Sequence, residues 1–318
     1  MIRFHELLAC PACAGALADD CSCCTCGARF DAPDGIPNLR LAADGRTEAV
    51  RRFYDRAPFP GYPPRDSLQA LRARAERSVF ARLLDRAIAG DARIVDVGCG
   101  TGQMCLYLAR ADRVVIGADL TRASLALGAA AALRFRLDRV QFVETDLAQP
   151  GLKARSFDVV FSSGVLHHTP DPRASFARLA RLARPGGTIV LGVYNAFARL
   201  PSRLRRVAAR WSGFRLIPFD PVLRDRRDEP ERRDAWLRDQ YQHPEEHCHT
   251  LAEVQDWFAA NQIEYLRTYP SAVLSEESDD LFARASDNWR PEGWLAQLGW
   301  MRTLGREGGL FFTIGRRV

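Results

Sequence analysis

Ala92-Arg93-Ile94-Val95-Asp96-Val97-Gly98-Cys99-Gly100-Thr101-Gly102 is the stretch on which the reading of this chain turns. Its first half is a short apolar run with β-branched residues, bounded by turn signals, the pattern of a buried parallel strand. Its second half carries three glycines spaced G-x-G-x-G, and Gln103 to Arg110 then continues as a helix. Glycines there let the backbone approach a ligand closely at the carboxyl end of a first strand. The nicotinamide fingerprint G-x-G-x-x-G would need glycine where Gln103 stands, and a Walker phosphate loop would need a lysine that is missing. Alone, a glycine loop is weak. Its surroundings make it strong.

Val114-Val115-Ile116-Gly117-Ala118-Asp119 reads as a second strand, ending in a carboxylate placed to accept from two ribose hydroxyls. Val140 to Asp146 is a third, also ending in an acid, and Phe157 to Ser162 a fourth, leading into Ser163-Gly164-Val165-Leu166-His167-His168. A fifth, Thr188 to Val193, follows Pro185-Gly186-Gly187, and two more are expected over Glu264 to Tyr269 and Leu310 to Gly315. Helical patterns separate them. Strands alternating with helices imply a doubly wound α/β sheet that binds ligands at the strands' carboxyl ends.

This ordered set resembles the class I S-adenosylmethionine-dependent methyltransferases from about residue 79 onward. Ile94 to Gly102 matches their first motif, Asp119 their ribose-binding acid, and Thr145-Asp146 the acid beside the adenine. Ser163 to Pro170 matches the stretch after the fourth strand, and Arg184-Pro185-Gly186-Gly187 the turn before the fifth. The resemblance implies a Rossmann-like seven-stranded sheet and S-adenosylmethionine as cofactor. By that likeness Gly98, Cys99, Gly100 and Gly102 pass the methionine moiety, and Asp96 holds its ammonium group through the loop or a water. Asp119 with Leu120, Asp146 with Leu147, and Ser163 complete the implied cofactor set.

Methyl transfer from a sulfonium asks mostly for alignment and, at oxygen or an acidic carbon, removal of a proton. A base is expected near Gly164 to His168. His167 and His168 are the candidates, with helix-start packing as their alternative role. The Asn- or Asp-Pro-Pro-aromatic tetrapeptide of amino-methylating nucleic-acid enzymes is missing here, which argues against chemistry on an exocyclic amine. Glu144 and Arg155 have no special claim.

The N-terminus carries a different signal. Six of the nine cysteines lie within residues 10 to 26, and crowded cysteines in a reducing compartment point to metal rather than disulfides. Cys10-Pro-Ala-Cys13 and Cys23-Cys24-Thr-Cys26 are two C-x2-C knuckles, able to offer zinc four thiolates. Cys21-Ser-Cys23-Cys24 is an alternative register, which stays open. Cys23 with Cys26 is preferred because Gly27 then lets backbone amides turn toward the sulfur. With Phe30 and Asp34-Gly35-Ile36-Pro37-Asn38-Leu39, this region resembles the small zinc-ribbon activator subunit of tRNA and release-factor methyltransferases. That likeness implies a structural ribbon docked on a methyltransferase domain. Three arginines against six acids in residues 1 to 45 also suit docking better than RNA.

The expected organisation is a zinc ribbon over 1–45, a linker and N-terminal cap segment over 46–78, and a methyltransferase domain over 79–318 with insertions at 195–250 and 271–309. Tyr54 or Tyr62, in the proline-rich connector, could face the reaction centre. The first insertion opens with an amphipathic helix over Phe197 to Trp211, and residues 199 to 238 hold twelve arginines against six acids. The stretch could be a cap, a membrane-surface helix, an RNA contact or a solvated insertion. His243, Glu246, His247 and His249 near its end could meet a metal or substrate. The second insertion, with Trp289, Trp294 and Trp300, reads as a lid, its own small core or a dimer face.

The 318 residues are 47% hydrophobic and 26% charged, with a formal charge of +6, which excludes a disordered or fibrous chain. Lys153 is the one lysine among 45 basic residues, a bias expected of a G+C-rich coding sequence. No apolar stretch is long enough to cross a bilayer and no secretory signal is legible, so a cytoplasmic enzyme is expected. The expected acceptor is a small or medium, partly apolar organic molecule methylated at oxygen or carbon. An rRNA or tRNA methyltransferase with a zinc-finger appendage is the rival, and a non-catalytic cofactor-binding interaction module the third reading. Oligomeric state is not legible.

Overall fold

The computed structural model describes the chain except residues 1–3, 42–44, 46, 49–50, 53–65, 214–216, 218–219, 221–222, 224–232, 234–235, 238–239, 242–245, 274–278, 286–289 and 305–307. Tyr54, Tyr62, His243 and Trp289 therefore lie outside the described residues. Eight strands form one sheet: β1 Asn38–Leu39, β2 Arg93–Val97, β3 Val114–Asp119, β4 Val140–Thr145, β5 Phe157–Ser163, β6 Ala183–Tyr194, β7 Ile263–Tyr269 and β8 Leu310–Arg317. Their order is β1-β4-β3-β2-β5-β6-β8-β7. β1 to β6 pair in parallel, and β8 runs antiparallel between β6 and β7.

The helices are α1 Leu68–Ala75, α2 Val79–Ala87, α3 Gln103–Leu108, α4 Arg122–Arg134, α5 Pro172–Ala180, α6 Leu200–Trp211, α7 Leu251–Ala260 and α8 Arg290–Thr303. Alternation along the strands sorts the core into two layers. Ile94, Val115 and Phe161 meet Phe80 and Leu84 of α2, Cys105 and Leu106 of α3, and Leu125 of α4. Val95, Val97 and Ile189 join the opposite layer with Phe176 of α5, Val254 and Phe258 of α7, and Trp300 of α8. Because both faces are covered, β2 reads as an almost unbroken apolar run.

Seven strands were expected, and the sheet has eight. The added strand comes from the N-terminal region, where Asn38 and Leu39 pair with Glu144 and Thr145 at the edge of β4. Leu39 is fully buried, and Leu7, Leu8, Leu17, Cys10 and Cys23 join the same core layer as α5 and α7. Burying leucines to this degree contributes about 1.5–3 kcal/mol each. Glu144 fastens the edge: its carboxylate takes Arg40 and Arg122, each at 3.0 Å, while Arg122 also reaches the carbonyls of Pro33 and Ile36. The ribbon therefore extends the sheet instead of hanging from a tether.

Its docking also shapes the turn after β4. Ala9 N donates to Gly151 O at 3.1 Å and Lys153 N to Leu7 O at 2.9 Å, while Gly151 N donates to Thr145 Oγ1 at 2.9 Å. A Cβ on Gly151 would stand 2.5 Å from the Cβ of Leu39. The turn that carries Asp146 and Leu147 is thus held from below by the ribbon.

Candidate active site

The loop after β2 needs its glycines for measurable reasons. Gly98 has φ +77°, and a Cβ there would lie 2.1 Å from Val165 Cγ2. Gly102 also has φ +77°, and a Cβ there would lie 2.4 Å from the Phe142 ring. The first glycine lets β2's loop pass close to the loop after β5; the second seats α3 against the sheet. Amides of Gly98 and Cys99 both donate to Ala118 O, at 2.7 and 3.2 Å, folding the loop over the end of β3.

A cavity of about 740 Å³ opens at the carboxyl ends of the parallel strands. Of the ten residues expected to hold cofactor, Asp96, Gly98, Cys99, Gly100, Asp119, Leu120, Asp146, Leu147 and Ser163 all line it. Gly102 does not, and its part is the packing against Phe142 just described. Asp119 Oδ2 accepts from Gly100 N and Oδ1 from Thr121 N, both at 2.8 Å. Each carboxylate oxygen keeps a second lone pair for a ribose hydroxyl. Burial raises the Asp119 carboxyl above its ordinary range, against the pull of these amides.

Asp96 is 3% exposed, and burial pushes its carboxyl up to about 7, Asp119's negative charge adding to the effect. The Cys105 thiol donates to it at 3.4 Å and works the other way. Two acids of the same sign at one end of a cavity favour a cationic occupant. A ligand bearing an ammonium and a sulfonium meets that demand.

The two histidines have different surroundings. His167 is fully buried, its ring stacked on Tyr194 at 3.8 Å, and it does not line the cavity. His168 does line it, with its ring edge-on to His167 at 4.3 Å. Asp171 caps α5 by accepting from Ala174 N at 2.9 Å, and Pro172 occupies the first helical turn, which fixes the wall beside His168.

Sequence reading missed the far wall. Tyr194, at the end of β6, faces the cavity with Trp236, Gln240, Leu310 and Phe312. Gln240 Nε2 donates to Tyr194 Oη at 2.7 Å. The guanidinium of Arg199 lies 4.0 Å over the Tyr194 ring and donates to both oxygens of Glu246, at 3.0 and 2.7 Å, and to Gly308 O. Burial disfavours ionised Glu246, yet Arg199 wins and the carboxyl stays below the usual glutamate range. Glu246, offered above as a metal or substrate contact, is instead an anchor of the cap. Tyr194 could have been found from its place at the end of a parallel strand; Gln240, inside the insertion, had no local signal.

At the ribbon, the sulfurs of Cys10, Cys13, Cys23 and Cys26 all lie within 4.8 Å of one another. Cys10 and Cys26 are 3.7 Å apart, and Cys13 and Cys23 3.5 Å. Tetrahedral zinc with sulfur at about 2.3 Å sets edges of about 3.8 Å, so this donor set fits the ion. The amides of Cys26 and Thr25 donate to Cys23 Sγ and bring its thiol down to about 6. Cys21 and Cys24 stand outside the cluster.

Residues 95–191 match the family described as a methyltransferase domain. The chain carries a class I S-adenosylmethionine-dependent methyltransferase domain, preceded by a cysteine ribbon. It is 29% identical over 253 residues to an uncharacterized protein of Synechococcus, covering 70% of this chain and 60% of that one. It is 36% identical over 154 residues to a ubiquinone biosynthesis O-methyltransferase of Xanthomonas campestris, covering 46% of this chain and 61% of the relative. The chain thus spans less than two thirds of the curated relatives it matches. Its fold is shared with a geranyl diphosphate C-methyltransferase of Streptomyces coelicolor, at TM-score 0.50 and 14% identity over 87% of this chain and all of that one. A magnesium protoporphyrin IX methyltransferase of Synechocystis gives TM-score 0.50 and 17% identity, over 86% of this chain and 100% of that one.

Proposed function

We propose that the protein transfers a methyl group from S-adenosylmethionine to a small or medium, partly apolar organic acceptor, at oxygen or carbon. The observation that carries this reading is the single cavity joining an acidic end, Asp96 with Asp119, to an acceptor end walled by Tyr194, Trp236, Leu310 and Phe312. S-adenosylmethionine supplies an already activated methyl group when bound. Asp96 orients its ammonium group, Asp119 takes the ribose, and Asp146 with Leu147 receives the adenine. In this reading Phe312 and Leu310 exclude water from the acceptor, and His168, which lines the cavity, accepts its proton. The name of one relative, a ubiquinone biosynthesis O-methyltransferase, is in keeping with this.

The ribbon binds one structural zinc through Cys10, Cys13, Cys23 and Cys26 in this reading, and that zinc steadies the turn beside Asp146. The test is incubation of the purified protein with methyl-labelled S-adenosylmethionine and a cell extract, then separation into solvent-extractable, RNA and protein fractions. Label in the solvent fraction is expected. Label confined to RNA or protein would refute the acceptor class, and no label despite cofactor binding would refute methyl transfer.

A further inference from the structure

The helix that opens the first insertion is inside out. Leu200, Leu204, Val207 and Trp211 of α6 recur at intervals of four, three and four, which places them on one face. That face points to solvent: Leu204 is 65% exposed, Val207 56% and Trp211 90%. The buried residues of the helix are small ones from the opposite side, Ser202 and Ala209. A helix folded to serve its own core would be turned the other way.

A second exposed apolar face lies on α8. Trp294, Leu295 and Leu298 are exposed there, while Ala296, Gln297 and Trp300 face inward. Phe197, just before α6, meets Trp294 edge-on at 5.1 Å. Asn195 Nδ2 donates to Gln297 Oε1 at 2.9 Å, and Asn195 Oδ1 accepts from Phe197 N and Ala198 N, so the segment leading into α6 is tied to the middle of α8. Single exposed apolar side chains are ordinary. Here seven of the eleven large ones among the described residues sit on two helices, α8 and the one whose lead-in segment packs against it.

Charge selects the partner. Between Leu200 and Trp211 stand Arg203, Arg205, Arg206 and Arg210 and no acid, with Arg203 and Arg210 exposed along one border of the stripe. In an antiparallel symmetric pairing of two copies, these arginines would gather at one seam with no carboxylate on the helix to answer them. RNA would use the arginines and leave the leucine, valine and tryptophan unexplained. A surface with phosphates above and acyl chains beneath uses both. Twelve residues rise about 18 Å, too short to cross a hydrocarbon core of about 30 Å, so such a helix lies in the interface.

We propose that α6 and α8 form a docking surface for an anionic phospholipid bilayer, with the apolar stripe set into the headgroup boundary and Arg203 and Arg210 on the lipid phosphates. In the chain, the segments bearing this surface follow Tyr194 and precede Leu310 of the cavity wall. The inference rests on the surface alone and does not depend on methyl transfer.

The test is flotation of the full chain with phosphatidylcholine vesicles and with vesicles containing phosphatidylglycerol. Binding is expected only to the anionic vesicles and should weaken as salt is raised. Leu204→Glu/Val207→Glu and, separately, Arg203→Glu/Arg210→Glu should each lower vesicle affinity about tenfold or more. Circular dichroism and unchanged S-adenosylmethionine affinity would show that these surface variants remain folded. Failure to float with either vesicle overturns the proposal. So does equal binding by the Leu204/Val207 variant, concentration-dependent dimerisation that this variant abolishes, or RNA binding lost only in the arginine variant.

Discussion

Asp96 should make cofactor binding a proton-releasing event. Its carboxyl, ordinarily ionised from about pH 4, is held near 7 by burial and by Asp119. A cationic ligand favours the ionised form, so below pH 7 binding must expel a proton. S-adenosylmethionine affinity is expected to rise by up to about tenfold per pH unit as pH 7 is approached from the acid side, then level off. The stability consequence has the opposite sense. The folded state retains this proton after the unfolded chain has lost it, so stability declines as pH climbs from about 4 to about 7 and is constant beyond. The full span, from 3.8 to about 7, corresponds to about 4 kcal/mol. Asp96→Asn removes that cost at neutral pH, and should raise ligand-free stability by about 1–4 kcal/mol while weakening cofactor binding. Calorimetric titration in two buffers of different ionisation enthalpy reads the proton directly at about pH 6. Equal apparent enthalpies in both buffers, with affinity flat across pH, would refute the reasoning.

Four other substitutions divide the site into its parts. Gly98→Ala drives a Cβ toward Val165 at a left-handed φ, and should cost about 1–3 kcal/mol and sharply weaken cofactor binding; unchanged affinity by calorimetry would contradict the close-approach account. His168→Gln should lower kcat with little change in thermal midpoint, whereas His167→Ala should cost about 2–4 kcal/mol by emptying the space beneath Tyr194, and the reverse assignment in melting and turnover would exchange their roles. Glu246→Gln leaves Arg199 buried without its anion and should cost about 3–5 kcal/mol in denaturant titration. Since Arg199 holds the Glu246 carboxyl low, that stability is present above the ordinary glutamate range and fades as pH falls, and the variant should lack this acid dependence.

The sheet was legible because the parallel strands β2 to β6 are largely buried and announce themselves as apolar, β-branched runs, and because β2 and β3 end in residues that line the cavity. The edge strand β1 was not. Asn38-Leu39 has no strand pattern, and only the pairing with β4 and the closure of Arg40 and Arg122 on Glu144 make it one. Glu144 was passed over for the same reason, since a buried carboxylate looks like any other until its partners, 104 and 22 residues away in the chain, are in place. On the acceptor side, Gln240 and Trp236 reach the cavity from an arginine-rich insertion whose local composition says nothing about a ligand. The cysteine knuckles sit between these extremes. Their spacing offered two registers, and the folded backbone gathers Cys10, Cys13, Cys23 and Cys26 while leaving Cys21 and Cys24 aside.

Arginine usage, read from composition as coding bias, has structural consequences that lysine could not supply. Arg113, 6% exposed, collects the carbonyls of Asp85, Ile88, Ala89 and Leu108 and the Asp85 carboxylate, and so closes the end of α2 onto the start of β3. Arg122 performs the same service for Pro33 and Ile36 of the ribbon, and Arg199 for Gly308 and Gln240 of the cap. Each lies where two segments distant in the chain meet, and each donates to several backbone oxygens at once. A guanidinium has five donors in a fixed plane; an ammonium has three on a flexible stem. Lysine at these positions would keep the charge and lose the carbonyls. The arginines of α6 differ in kind: Arg203 and Arg210 point outward beside exposed leucine, valine and tryptophan. Coding bias accounts for why the cations are arginine. It does not account for why Arg113, Arg122 and Arg199 are used on backbone oxygens while Arg203 and Arg210 border a helix whose apolar face is left uncovered.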